Sequence, residues 1–136
     1  LELQAHALGL KRVSFEGFQS PVSYYKRASV LVLTSEFEGF PLVLAEAMSF
    51  GVIPVVYDSF SAVRDIIDQG NDGIIVPKIN GTFSAEEMAK GVESVIKEFE
   101  KKHEMPLAAI EKSKQYALDH IVSQWKGRLE RMTKDA

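Results

Sequence analysis

Two glutamates, Glu38 and Glu46, are separated by seven residues in a segment that also contains a glycine and a proline. Glu38 lies in a predicted loop after the apolar run 30–33, and Pro41 marks the predicted start of a helix. Proline suits a first helical turn because the N–H that it lacks would have no intrahelical acceptor. The spacing therefore predicts one carboxylate just before a helix and a second one about a turn inside it.

The backbone amides around the start of this helix predict an anion site. N–H groups there lack intrahelical acceptors and lie at the positive end of the helix dipole. If the helix follows a strand of a parallel sheet, it begins at the carboxyl edge of that sheet, where phosphates bind. Gly39 would let a ligand approach the backbone closely. The amides concerned are those of Gly39, Phe40, Leu42 and Val43.

The two carboxylates would suit neutral hydroxyls beside such a phosphate. Glu46 shares a helix face with Leu42 and Val43, so it could accept hydrogen bonds from a ribose diol. Glu38 could contact a sugar attached beyond the phosphate. A plainer interpretation is equally open on spacing alone: Glu38 would complement the helix dipole, and Glu46 would be a solvated surface residue.

Composition limits the classes of function and of site. The 136 residues, 46% of them hydrophobic, suit one globular domain. The absence of cysteine excludes a disulfide framework and a zinc–thiolate site. The net charge of −3 disfavours a dedicated nucleic-acid binder, and the three histidines are too far apart in sequence to suggest a metal site. No apolar run is long enough to span a membrane.

Short apolar runs alternate with amphipathic stretches along the first half of the chain. Continuous apolar runs, unlike alternating ones, indicate strands that are buried on both faces, as in a parallel sheet. We expect a Rossmann-like α/β fold with about four parallel strands flanked by helices. The predicted strands are 13–15, 30–33, 52–57 and 73–77, and the predicted crossover helices are 21–28, 42–50 and 61–69.

Helices are predicted for the rest of the chain, about 84–134. Ser84 and Glu87 form a capping box that opens a helix to about residue 103, and Pro106 starts another. A last helix carries an apolar stripe around Trp125 with basic residues beside it. Packing of that stripe, against the body of this domain or against a missing domain of a longer protein, is favoured over a membrane-surface role, since amphipathic helices usually face a core. Three aromatics near the glutamates are also predicted to pack: Tyr24, Tyr25 and Phe37.

The segment 35–56 resembles the donor-site signature of glycosyltransferase family 4. It contains Ser-x-x-Glu-Gly-Phe-Pro-Leu-Val-Leu-Ala-Glu-Ala-Met-x-x-Gly-x-x-Pro-Val-Val. Members of that family are retaining, nucleotide-sugar-dependent enzymes of the GT-B fold that need no metal. Further segments that resemble the family are 8–17, 24–28, 65–76 and 120–125.

The resemblance implies a role for each matching residue. Glu46 would bind the ribose, and Glu38 would contact the donor sugar. Pro41 stands where many members have glycine, so one amide donor is lost. The residues at 61–64 also depart from the family, which removes the expected ligand contacts of that loop. The implied nucleotide-sugar site is Ser14 and Phe15 for the base, then Glu38, Gly39, Phe40, Pro41, Leu42, Val43 and Glu46, with Glu38 as the catalytic candidate.

The resemblance also implies the wider setting. Residues 1–136 would be a single, partial nucleotide-sugar-binding domain from the C-terminal half of a cytoplasmic glycosyltransferase, inactive by itself. An upstream Arg and Lys that clamp the diphosphate, and an N-terminal acceptor domain, have no counterpart in this sequence. We expect a UDP-sugar donor, a glycan or glycolipid acceptor such as lipopolysaccharide or capsule, no cofactor, and peripheral membrane association of the parent enzyme. The alternatives are a GT-B phosphorylase or epimerase, and a non-catalytic α/β interaction domain.

Overall fold

The computed structural model describes residues 1–99 and 104–134, which form a small parallel sheet covered by helices. The strands are β1 (Val30–Leu33), β2 (Ile53–Tyr57) and β3 (Ile74–Val76). The helices before the end of the sheet are α1 (Glu2–Ala7), α2 (Val22–Tyr25), α3 (Leu42–Ser49) and α4 (Val63–Ile66). The later helices are α5 (Ala85–Phe99), α6 (Glu104–Ser113), a 3₁₀ turn (Lys114–Tyr116) and α7 (Leu118–Lys134).

The sheet has the order β1-β2-β3, and both pairs are parallel. Val30 lies opposite Ile53, and Val55 lies opposite Ile74. All five residues of β2 are buried. The prediction from continuous apolar runs is thereby confirmed: the central strand is covered on both faces.

Alternate residues of the strands point to two different apolar clusters. On the α3 face, which packs against α3 and α6, Val56 and Ile75 join Leu44, Met48 and Ala109. On the opposite α5 face, β2 and β3 pack against α5 and contribute Ile53, Val55, Tyr57 and Val76, with Met88 and Val95 from the helix. The period-two alternation of side chains along a strand produces this division.

The expectation of four strands is wrong for the segment 13–15. No residue in 8–20 pairs with β1, β2 or β3, and Val13 and Phe15 are 47% and 46% exposed. A run of three residues can form only a few ladder hydrogen bonds. Here it forms none: β1 is an edge strand with one open side, yet segment 13–15 does not pair with it.

The predicted helices form, with shorter boundaries in two crossovers. Gly51 ends α3 with a φ of 76°, the left-handed conformation expected at that position. The Ser84 hydroxyl oxygen accepts the Glu87 N–H at 3.3 Å, but the Glu87 carboxylate pairs with Lys90 instead of completing the capping box. The predicted end of α5 near residue 103 lies outside the described residues.

The predicted packing of Phe37 is wrong, and Trp125 does not pack against the body of this chain. Phe37 is 89% exposed, and Trp125 on α7 is 62% exposed. Helix α7 contacts the 3₁₀ turn through its first residues, and its apolar stripe does not fold back onto the sheet. Packing of Trp125 against another part of a longer protein stays a prediction. In the described part of the chain, no helix is both long and apolar enough to cross a membrane.

Candidate functional site

The N-terminus of α3 opens at the carboxyl edge of the sheet, as predicted. Pro41 is the residue before the helix, with φ −75° and ψ 92°, and its carbonyl accepts the Leu44 N–H at 3.0 Å. The amides of Leu42 and Val43 therefore precede the first helical hydrogen bond. The Gly39 backbone is open, since an added Cβ would have no atom within 4 Å. An anion could approach all three amides from solvent.

Glu46 lies one turn inside α3 and is held by a tyrosine. Its Oε2 accepts a hydrogen bond from the Tyr25 hydroxyl at 3.2 Å. Burial, and then the hydrogen bond to Glu46, raise the pKa of the Tyr25 phenol, so at neutral pH it remains protonated and donates. The Tyr25 ring itself is buried, with Phe50 at 5.7 Å between centroids. The carboxylate is exposed to ligands yet has a defined orientation, unlike that of a freely solvated surface residue.

One side of α3 forms a cleft of about 480 Å³, here called the Glu46 cleft. This volume lies within the range of about 300–1,000 Å³ for small-molecule sites. Its α3 wall consists of Leu42, Ala45, Glu46 and Ser49. Its opposite wall, from α6 to the start of α7, consists of Ile110, Ser113, Lys114, Tyr116 and Ala117.

Tyr116 connects this opposite wall to the loop before α3 and to α4. Its hydroxyl donates to the Asp65 carbonyl at 2.8 Å, and its ring packs against Phe40 with centroids 5.3 Å apart. Burial raises the pKa of the Tyr116 phenol, which keeps it a donor. Lys114 adds a positive charge at the cleft and pairs with Glu111 at the protein surface. The cleft thus offers a carboxylate, an ammonium group and aromatic area.

The structure gathers part of the predicted site. Leu42 and Glu46 line the Glu46 cleft, and Phe40 joins it through Tyr116. Glu38 is half-buried in the loop before α3. Ser14 and Phe15 do not line the cleft; they lie in the exposed segment 8–20.

That exposed segment is tied to α2. The Tyr24 hydroxyl donates to Glu16 Oε2 at 3.3 Å, and the next residue, Tyr25, bonds Glu46. Sequence reasoning placed Tyr25 correctly as a packing residue but missed the role of its hydroxyl. A signal existed, because a buried tyrosine hydroxyl needs a polar partner. No comparable signal marked Lys114 or Tyr116.

Potential metal ligands are scattered in the structure. Within residues 1–99 and 104–134, no three His, Cys, Asp or Glu side chains cluster closely enough to hold a metal ion.

Comparison with known proteins identifies a family. Residues 1–114 match the family model described as glycosyl transferases group 1. An uncharacterized glycosyltransferase of Haemophilus influenzae is 32% identical over 106 residues, which is 78% of this chain and 29% of that protein. The Campylobacter jejuni enzyme named GalNAc-alpha-(1->4)-GalNAc-alpha-(1->3)-diNAcBac-PP-undecaprenol alpha-1,4-N-acetyl-D-galactosaminyltransferase is 30% identical over 126 residues, 92% of this chain and 34% of that protein.

Solved structures with the GT-B fold share this architecture. A chain of the GtfA/B complex has a TM-score of 0.79 at 21% identity and covers 96% of this chain. The pneumococcal O-GlcNAc transferase GtfA, solved with UDP and GlcNAc, has a TM-score of 0.76 at 18% identity and also covers 96%. This chain spans only 27% and 26% of those chains, and about a third of the curated relatives. The fold and the family match agree: the chain belongs to the glycosyl transferases group 1 family.

Proposed function

We propose that this chain is the donor-nucleotide-binding part of a retaining, metal-independent family 4 glycosyltransferase. The parent enzyme would transfer a sugar from a UDP-sugar to a growing glycan or glycolipid. The observation that carries the proposal is the Glu46 carboxylate, oriented by Tyr25, at a cleft beside the open N-terminus of α3. Residues 1–136 would form one partial domain of the longer enzyme.

Two kinds of protein group would bind the donor: one binds its hydroxyls and the other binds its phosphates. Glu46 would accept hydrogen bonds from the ribose hydroxyls, which gives charge-assisted bonds without placing a carboxylate on a phosphate. The amides of Leu42 and Val43 would bind the diphosphate at the positive end of α3. As the bond to the sugar breaks, negative charge grows on the leaving diphosphate, and these preorganised amides stabilise it.

The donor sugar would lie toward the loop before α3. Glu38, half-buried there, would bind sugar hydroxyls close to the reacting carbon, and the Gly39 and Phe40 amides would contact the sugar or the distal phosphate. Pro41 offers no amide, so the loop has one donor fewer than a glycine at that position would give. Ser14 and Phe15 would hold the base only if segment 8–20 is ordered against the ligand.

The relatives support a glycan acceptor. Besides the Campylobacter jejuni galactosaminyltransferase, a Salmonella typhimurium lipopolysaccharide 1,6-galactosyltransferase is 42% identical over 72 residues, 48% of this chain. Since this chain spans about a third of such proteins, acceptor choice and turnover would depend on the remainder of the parent enzyme.

Ligand-observed NMR with millimolar UDP, GDP, ADP and CMP tests the proposal. We expect the chain to transfer saturation to a nucleoside diphosphate, and we expect the strongest saturation-transfer signal from UDP. Weak affinity is expected because a clamp by upstream basic residues has no counterpart in this sequence. The proposal would be contradicted if none of the four nucleotides binds to this chain and none binds to the full-length parent enzyme that contains it.

A substitution at Glu38 tests where the donor sugar binds. Glu38→Ala is expected to leave UDP affinity unchanged and to weaken UDP-sugar affinity by about 1–3 kcal/mol, the value of a hydrogen bond to a charged group. Competition between UDP and UDP-sugar in the same NMR assay measures both. If Glu38→Ala loses UDP affinity and UDP-sugar affinity equally, Glu38 contacts the nucleotide and not the sugar.

A further inference from the structure

A second cleft, of about 270 Å³, opens at the carboxyl edge of the sheet, and none of the predicted site residues lines it. We propose that this cleft, here called the Lys78 cleft, binds one sugar ring of the glycan acceptor; the acceptor role rests on the proposed function. The cleft joins the loops that follow all three strands. Its lining residues are Glu36, Tyr57, Ser59, Lys78, Gly81, Thr82 and Phe83.

One wall of the Lys78 cleft is a tight hairpin. Ile79 and Thr82 exchange both backbone hydrogen bonds, each at 3.0 Å. The two residues between them, Asn80 and Gly81, have φ values of 51° and 80°, the left-handed pair of a two-residue hairpin turn. Phe83 follows directly and packs edge-on against Tyr57, with centroids 5.2 Å apart. The cleft therefore has a preformed wall and a partly exposed aromatic edge, which suits the apolar face of a sugar ring.

The polar groups of the cleft match a polyol. The Ser59 hydroxyl donates to the Ser35 carbonyl, and the Thr82 hydroxyl donates to the Ile79 carbonyl at 2.9 Å. Because those protons are used, both oxygens can only accept hydrogen bonds from a ligand. Sugar hydroxyls supply such donors and also have lone pairs for an ammonium group.

Two charges of opposite sign complete the lining. Neither Glu36 nor Lys78 has an ion-pair partner within 4.0 Å among the described residues, so both are available to a ligand. Glu36 would repel a phosphate or carboxylate ligand, whereas a neutral polyol can donate to Glu36 and accept from Lys78. A neutral sugar is therefore favoured over an anion.

Size and position indicate an acceptor rather than a second donor. The volume of about 270 Å³ is below the usual range of drug-sized sites, about 300–1,000 Å³, and suits a single ring. Glu36 is two residues before Glu38 in the loop after β1, so a sugar bound there would lie beside the proposed donor sugar. The site would position the acceptor ring next to the reacting bond.

Saturation-transfer NMR on the chain tests the binding site, with methyl α-galactoside, methyl α-glucoside and N-acetylgalactosamine as probes. We expect at least one probe to bind, and Lys78→Met and Glu36→Gln each to weaken it about fivefold. Lys126→Met, an exposed lysine on α7, is the matched control and should have no effect. No binding by any probe, equal binding to all variants, or displacement of the bound probe by inorganic phosphate would overturn the proposal.

The same samples separate this inference from the proposed function. UDP binding that depends on Glu46, without any saccharide binding, would overturn the Lys78 cleft alone. Saccharide binding that depends on Lys78, without nucleotide binding to chain or full-length protein, would overturn the proposed function and the acceptor role together. In the full-length enzyme, Lys78→Met should raise the acceptor KM about fivefold and leave the donor KM unchanged; an unchanged acceptor KM would overturn the acceptor role.

Discussion

The two faces of the sheet are built from the same three strands and have different chemistry. The α5 face is apolar, and its helix packs so closely that a Cβ at Gly91 would lie 3.0 Å from Val55 and 3.1 Å from Val76. The α3 face has an apolar cluster of its own, but the hydroxyls of Tyr25 and Tyr116 and the exposed Glu46 carboxylate lie beside it, at the Glu46 cleft. The α5 face thus stabilises the sheet, and the α3 face combines stability with groups that can bind a ligand.

This difference predicts that stability and ligand binding can be changed separately. Substitutions against the α5 face should lower the free energy of unfolding without altering ligand affinity in the folded protein. Substitutions around Glu46 should lower ligand affinity and leave the free energy of unfolding nearly unchanged.

The largest expected effect is at Gly91. Gly91→Val places a Cβ 3.0 Å from Val55 and 3.1 Å from Val76, closer than ordinary contact, and both of these valines are buried in the sheet. Overpacking of this kind costs about 1–3 kcal/mol. Thermal unfolding should show this loss, while nucleotide affinity of the folded protein stays within a factor of about two.

Gly127→Val is the matched control for Gly91→Val. Gly127 also lies inside a helix, but an added Cβ there meets nothing within 4 Å. Its stability should change by less than about 0.5 kcal/mol. If both variants lose the same stability, the loss at Gly91 does not come from the packed α5 face; helix propensity favours valine over glycine and cannot cause it.

A smaller, pH-dependent effect is expected at Asp72 on the α3 side. Asp72 is buried; its Oδ1 accepts the Asp68 N–H at 2.8 Å, and its Oδ2 has no partner among the described residues. Burial raises the pKa of this carboxyl above its ordinary value of 3.8. The folded state therefore holds the proton more tightly than the unfolded state, and stability from the neutral form is lost as pH rises through the folded pKa.

Asp72→Asn removes this pH dependence and keeps the carbonyl that accepts from Asp68. The variant should gain about 1 kcal/mol over the native chain at pH 7, and the gain should vanish below pH 3.8. Unfolding midpoints measured from pH 3 to 8 check both claims. A stability difference between Asp72→Asn and the native chain that does not change with pH would rule out the buried carboxylate as its cause.

An effect of similar size is expected from the hydroxyl of Tyr25. Tyr25→Phe keeps the ring packed against Phe50 but leaves Glu46 without its donor. Loss of one hydrogen bond should cost about 0.5–1.5 kcal/mol in nucleotide affinity. Tyr24→Phe removes the hydroxyl that bonds Glu16, at an exposed position one residue earlier, and should leave nucleotide affinity unchanged. Equal affinities of the two variants would show that Tyr25 does not orient Glu46 for binding.

Much of the fold could be predicted because local patterns and burial agree. The continuous apolar runs of β1, β2 and β3 are strands, and Pro41 and Gly51 mark the two ends of α3 as expected. The prediction for segment 13–15 was wrong because strand propensity is a weak guide over three residues, and only Val13 and Phe15 favour a strand there. Its residues are exposed instead of paired.

The part of the candidate site that lies in and before α3 could be predicted from the sequence. The glutamates and the helix start are local features, so spacing placed Glu46 and Leu42 on one face of α3 correctly. Tyr25 and Tyr116 come from segments 21 and 70 residues away from Glu46, and only tertiary packing brings them to α3. Sequence periodicity has no information about such distant partners.

A nucleotide titration of the isotope-labelled chain, followed by amide chemical shifts, tests the central claim most directly. We expect UDP to shift the amides of Gly39, Leu42, Val43 and Glu46 and to leave those of α5 unchanged. In Glu46→Ala, we expect UDP to cause no such shifts. Shifts concentrated on α5 or α7, or an identical response in Glu46→Ala, would contradict the assignment of the α3 face as the donor site.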